Sequence, residues 1–93
     1  MREKAIEAKL VKSVKVMGGI APKFVSPGFD GMPDRLLLLP GRNFAFVEVK
    51  APGMKPRPLQ VKRKRQLEAL GFSVYVINDE GQIGGMLNEI RAT

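Results

Sequence analysis

An acid at position 34, a second at 48 and a lysine at 50 are the residues of this sequence with the plainest capacity for chemistry. Asp34 follows Pro33 at the entrance of an apolar run, Arg35-Leu36-Leu37-Leu38-Leu39. Glu48-Val49-Lys50 closes the next run, which opens at Phe44-Ala45-Phe46-Val47. Side chains alternate along a strand, so Glu48 and Lys50 share one face while Val47 and Val49 pack on the other. A carboxylate pair with a nearby ammonium is what a magnesium-dependent phosphodiesterase uses. Magnesium prefers oxygen ligands, keeps several waters and is often held by only one or two carboxylates.

Each residue also has a plainer reading. Asp34 alone is an ordinary turn acid. Glu48 interrupts an apolar strand, and an unpaired carboxylate is costly there, so a metal or a cation must balance it. Lys50 could do so as a structural salt bridge, and the isolated pair leaves structure and catalysis equally open. The combination favours chemistry. Asp34, Glu48 and the backbone carbonyl of Val49 would make a partial octahedral shell with room for water and a phosphate. Lys50 would orient the attacking water and offset charge developing in the transition state.

The elements that must position these residues follow from periodicity. Ile6, Leu10, Val11, Val14 and Met17 recur at helical spacing, predicting a helix over 3–17 that Gly18-Gly19 ends. Residues 20–25 read as a short extended run closed by Ser26-Pro27-Gly28. Strands over 35–39 and 44–49, joined by the turn Pro40-Gly41-Arg42-Asn43, form an antiparallel hairpin. Residues 51–58 carry three prolines and a glycine and read as a loop. Pro58 suits the first position of a second helix, which runs to Leu70 and stops at Gly71. A strand over 72–77, nearly continuous in apolar residues, reads as buried on both faces and parallel to one hairpin strand. A last helix covers 83–91. The expected fold is α/β: an αβββαβ core with a mixed four-stranded sheet flanked by helices, plus a C-terminal helix, in a single domain over 1–93.

Composition narrows the function classes. The chain has 93 residues and neither cysteine nor histidine. Disulfides, thiolate metal sites, histidine bases and Ser-His triads are therefore excluded, and acid–base work falls to carboxylates, lysine or metal-bound water. Without cysteines or a signal peptide, the sequence suits the reducing cytoplasm of a bacterium or a phage-infected host. Sixteen Lys and Arg against nine Asp and Glu give a net charge of +7, which favours a polyanionic partner. Lys55, Arg57, Lys62, Arg63, Lys64 and Arg65 follow directly after the Glu-Val-Lys strand, so the positive field sits beside the proposed chemistry. A helix spreads consecutive residues around its axis, so only part of that run can face a nucleic acid. Phosphate contacts of this kind give affinity but little sequence information. With six aromatic residues, mostly in expected strands, base stacking is disfavoured against backbone and shape recognition. An amphipathic helix with large apolar anchors, as a membrane binder requires, is not evident.

The motifs Glu7-Ala8-Lys9-Leu10-Val11, Gly31-Met32-Pro33-Asp34-Arg35, Phe46-Val47-Glu48-Val49-Lys50 and Pro58-Leu59-Gln60 occur in this order. In that order they resemble the motifs of VRR-NUC domains, members of the PD-(D/E)XK nuclease superfamily, from the first helix to at least Ile77. The resemblance implies the αβββαβ core and a metal site at Asp34, Glu48 and the Val49 carbonyl. It implies Lys50 as catalytic lysine, Gln60 near the metal waters or the phosphate, and Mg²⁺ as cofactor with Mn²⁺ as substitute. It also implies an acid on the first helix, best matched by Glu7, with Glu3 one turn earlier as the alternative. Asp30 departs from the basic or small residue common before the glycine. The function implied is a structure-selective DNA endonuclease, and stand-alone members of this size look like phage or bacterial enzymes. A homodimer resolving Holliday junctions leads, because two sites match two opposed strands. Flap cleavage, nicking and a catalytically silent DNA-binding module are the alternatives.

Overall fold

A computed structural model describes residues 2–92. Helix α1 (Glu3–Val16) leads to a hairpin of β1 (Arg35–Leu39) and β2 (Asn43–Val49). Helix α2 (Pro58–Ala69), strand β3 (Val74–Ile77) and helix α3 (Ile83–Ala92) complete the order. The sheet runs β1-β2-β3, with β1 antiparallel and β3 parallel to the central β2. The hairpin turns through a short 3-10 segment in which Gly41 and Arg42 both take positive φ.

The alternation of β2 divides the molecule into two layers. Ala45, Val47 and Val49 join Leu37 and Leu39 of β1 and Ile77 of β3 beneath α1 and α3, forming the main core. Ile6, Leu10 and Val14 supply the buried stripe of α1, at the spacing that brings one face of a helix round every turn. Phe44 and Phe46 point to the opposite layer, where they meet Phe24, Leu36, Val74 and Leu67 of α2 in a smaller cluster. Four phenylalanines, 24, 44, 46 and 72, pack edge-to-face there, with centroids 5.1–6.0 Å apart. Glu48 and Lys50 continue that second face, so the sheet passes from an aromatic surface to a charged one along a single strand.

Two expectations are corrected. Among the described residues the sheet has three strands, because the extended run at 20–25 makes only isolated bridges, Ile20 to Leu38 and Lys23 to Arg35. The cause is Pro22. Ile20 and Leu38 exchange both backbone bonds and Phe24 N–H donates to the Asp34 carbonyl. Pro22 accepts from Leu36 N–H at 3.1 Å but has no N–H to return. The ladder is interrupted where proline sits. Second, β3 is not buried on both faces: it lies at the sheet edge with Tyr75 and Val76 only partly covered. Its apolar run reflects packing under α3 and against the aromatic cluster. No helix among the described residues is long and apolar enough to cross a membrane.

Candidate active site

The strand ends and the site begins at the same place. β1 and β2 stay paired as far as Arg35 opposite Val47, and the same register carried two residues further would set Pro33 opposite Val49. Proline has no N–H to give to the Val49 carbonyl, so the ladder stops. Asp34 occupies the gap, its Oδ2 accepting the Val49 N–H at 3.0 Å. The N–H and C=O of one strand residue point to the same side, so the Val49 carbonyl is directed toward Asp34 as well.

Glu48 is almost fully buried, at 4% exposure. Its Oε2 accepts from Gln60 Nε2 at 2.9 Å and lies 3.3 Å from Lys50 Nζ. Its other oxygen, Oε1, is buried and has no hydrogen-bond partner among the described residues. Burial, reinforced by the negative charge of Asp34, pushes the Glu48 carboxyl up to about 7, while Lys50 opposes the shift. Gln60 is positioned by its own helix start: its Oε1 accepts the Arg57 N–H at 2.8 Å, leaving the amide nitrogen for Glu48. Pro58 opens that helix, so Gln60 falls at the third helical position, where a side chain can reach back to the preceding backbone.

Thus Asp34, Glu48, Lys50 and Gln60 are brought together. Glu7 is nearby but otherwise engaged. Its Oε1 lies 3.2 Å from Arg35 Nε, and Arg35 also donates to the Ala21 carbonyl at 2.8 Å. Glu3, Glu7 and Asp34 line one cleft of about 240 Å³ with Lys23, Phe24 and Val25. Among the described residues, no three His, Cys, Asp or Glu side chains are gathered as a metal cluster. The donor set is therefore the carboxylate pair and a carbonyl. A hard cation that keeps several waters fits it, and the orphaned Glu48 Oε1 is an oxygen waiting for a positive charge.

The basic run divides as helical geometry requires. Lys55, Arg57, Lys62 and Arg65 are exposed. Lys64 pairs with Glu68 at 2.9 Å and shares a small cavity with Glu48 and Gln60. Arg63 turns toward the loop before Asp34, where Nε donates to the Asp30 carbonyl at 2.7 Å and the guanidinium lies 3.8 Å from the Phe29 ring centroid. Asp30 is thus tied through its carbonyl. Sequence reasoning missed the Arg35 fork, although Arg35 stands within a quoted motif, and it missed Phe29, whose only signal was an aromatic residue in a Pro-Gly loop. A larger groove, about 670 Å³ between α1 and α3, contains none of these site residues.

A strand that frays at Pro33 into an acid, with Glu-x-Lys on its neighbour, is the arrangement the sequence motifs led us to expect. The comparisons narrow this. No family model matches the chain. A solved structure described as a VRR_NUC domain superposes with a TM-score of 0.86 over 95% of this chain and 97% of that one, at 24% identity, a likeness of fold. "Putative nuclease p44" of Acyrthosiphon pisum secondary endosymbiont phage 1 is 51% identical over 80 residues, 86% of each chain. The chain belongs to the family of this phage protein, and its fold is that of a VRR_NUC domain.

Proposed function

We propose that the protein is a divalent-metal-dependent endodeoxyribonuclease that cuts branched DNA, acting as a homodimer in the manner of a Holliday-junction resolvase. The observation that carries this reading is the buried, unpartnered Oε1 of Glu48 beside the Asp34 carboxylate. Asp34, Glu48 and the Val49 carbonyl would hold Mg²⁺ or Mn²⁺. When bound, such an ion makes its water more acidic and neutralises charge on the scissile phosphate.

The chain's own residues supply the rest. Gln60 and Lys50 both hold Oε2 of Glu48, which leaves Oε1 as the free ligand atom. Lys50, beside it, orients the attacking water and offsets phosphate charge in a site largely closed to solvent. Glu7, in the cleft next to Asp34, would reach water on a bound ion as an outer contact, with Arg35 setting its direction. Exposed Lys55, Arg57, Lys62 and Arg65 bind the DNA backbone, Lys64 joins them where Glu68 yields, and Arg63 adds its charge to the field beside them. The apolar walls of the α1–α3 groove, among them exposed Val16, support a dimer through those helices.

The phage relative's name, putative nuclease, supports the enzyme reading. A silent DNA-binding module is the second reading, favoured by the closed contacts of Glu48 Oε2, which a purely structural network would also make. The test is cleavage of labelled four-way junction, flap and linear duplex with Mg²⁺ or Mn²⁺, beside Lys50→Ala and EDTA controls. Paired symmetric cuts on the junction, lost in both controls, support the resolvase. Cuts confined to the flap keep the nuclease and discard the resolvase. DNA binding without metal-dependent cleavage of any substrate establishes the module.

A further inference from the structure

Phe29 is the one phenylalanine of five outside the edge-to-face cluster, and it is 47% exposed. Its loop is not loose. Phe24 N–H donates to the Asp34 carbonyl at 2.7 Å, closing the loop on the candidate metal acid itself. Within it, Ser26-Pro27-Gly28-Phe29 is a tight turn: Phe29 N–H reaches the Ser26 carbonyl at 3.2 Å and Gly28 has φ +78. Proline at the second position and a positive-φ glycine at the third make this a type II turn. On the other side, Gly31 (φ +89) presses on α2, where a Cβ would stand 2.7 Å from Leu59 Cγ. Arg63 then clamps the loop through the Asp30 carbonyl and lies over the Phe29 ring, its Nη1 donating to Gln66 at 2.8 Å.

The turn and the Arg63 contacts thus hold a large apolar ring half in water. Half-exposed aromatics backed by a guanidinium are suited to stacking on a flat π-system, and stacking on bases is tolerant of sequence. The loop leads into Asp34, and the surface of α2 around Arg63 is cationic, which matches a polyanion carrying bases. We propose that Phe29, held by Arg63, is a stacking platform for an unpaired nucleobase of the DNA substrate next to the scissile phosphodiester. This inference rests on the nuclease reading and names what selects the substrate: a base out of its pair at a branch or flap.

The experiment uses wild type, Phe29→Ala, Phe29→Trp and Arg63→Lys with 2-aminopurine placed at the branch of a flap or, as reference, within a fully paired nicked duplex. Binding is read by fluorescence in Ca²⁺, and cleavage of both DNAs is then measured in single turnover with Mg²⁺. Wild type quenches branch 2-aminopurine; Phe29→Ala loses the quenching and about tenfold in the flap-to-duplex cleavage ratio, Phe29→Trp keeps both, and Arg63→Lys weakens both. Thermal melting of each variant separates these effects from loss of fold. An unchanged cleavage ratio and unchanged quenching in a folded Phe29→Ala overturn the platform and leave the nuclease standing. Quenching that depends on Phe29, without cleavage by wild type, overturns the nuclease reading and keeps base capture. No quenching in wild type overturns the platform whatever the activity.

Discussion

Asp34 stands in for a strand: its carboxylate accepts the amide proton of Val49 at 3.0 Å, where the β1–β2 ladder has already stopped. The same side chain is therefore asked to hold the end of β2 and to carry charge toward Glu48. These two tasks can be separated by substitution.

Asp34→Asn keeps an oxygen acceptor for Val49 and removes the charge. Its Tm should stay near wild type while the calorimetric signal for Mn²⁺ disappears. Asp34→Ala removes both, and should cost a further 1–3 kcal/mol or so for the unsatisfied amide. Retained metal binding in Asp34→Asn would count against the ligand assignment.

The metal-free protein should lose stability as pH rises. The Glu48 carboxyl is pushed from 4.5 to about 7 by burial and then by Asp34. The folded state therefore holds its proton more tightly than the unfolded chain. That contribution is complete below about pH 4.5 and is lost as pH climbs to about 7. At roughly 1.4 kcal/mol per unit, the loss is about 3–4 kcal/mol. Melts of wild type and Glu48→Gln across this window should diverge, with the Gln variant the flatter; parallel curves contradict the shift. Bound metal reverses the trend, because the cation takes the place of the proton.

Gln60→Ala should leave Lys50 as the remaining partner of Glu48 and free the Arg57 amide at the start of α2. A stability loss of about 1–2 kcal/mol is expected, with a fall in turnover larger than any rise in KM. Gln60→Glu tests the sign: a second acid against Glu48 should raise the Glu48 carboxyl further and move the acidic limb of the pH–rate profile to higher pH.

Glu7→Ala should behave differently from Glu48→Ala. Glu7 faces Arg35 at 3.2 Å rather than completing a three-acid cluster. Its removal strands a partly buried guanidinium, costing about 1 kcal/mol, and should weaken Mn²⁺ binding several-fold rather than abolish it. Loss of metal binding equal to that of Glu48→Ala would promote Glu7 to a direct ligand.

Charge reversal at Lys62 and Arg65, both exposed on α2, should weaken DNA binding and flatten its salt dependence by about one unit of slope per lost phosphate contact. An unchanged slope would place the DNA elsewhere.

Much of this architecture is legible in the residues. The alternation through Phe46, Val47, Glu48 and Val49 identifies the central strand and the shared face of Glu48 and Lys50, because strand period follows from backbone geometry. Pro58 marks the start of α2 for a similarly local reason. What escapes a linear reading depends on partners distant in sequence. The effect of Pro22 needs Leu36 beside it, and the edge position of β3 needs the strand order. Arg63 reads as one more cation in a basic run until the loop at 29–31 is folded against it. The Asp34 bond to Val49 is invisible until the hairpin register is known, although Pro33 hints that something other than a ladder bond must follow.

The two layers are unequally fastened. α3 buries four of its ten residues, Ile83, Met86, Leu87 and Ile90, whereas α2 buries only Gln60 and Leu67 of twelve. Amides of α2 should exchange with solvent deuterium well before those of α1 and α3, since opening free energy follows local apolar burial. Such breathing carries Gln60 away from Glu48 while the main core stays shut. Opening of this loosely held helix would let a buried carboxylate meet a polymer too wide to enter a closed slot.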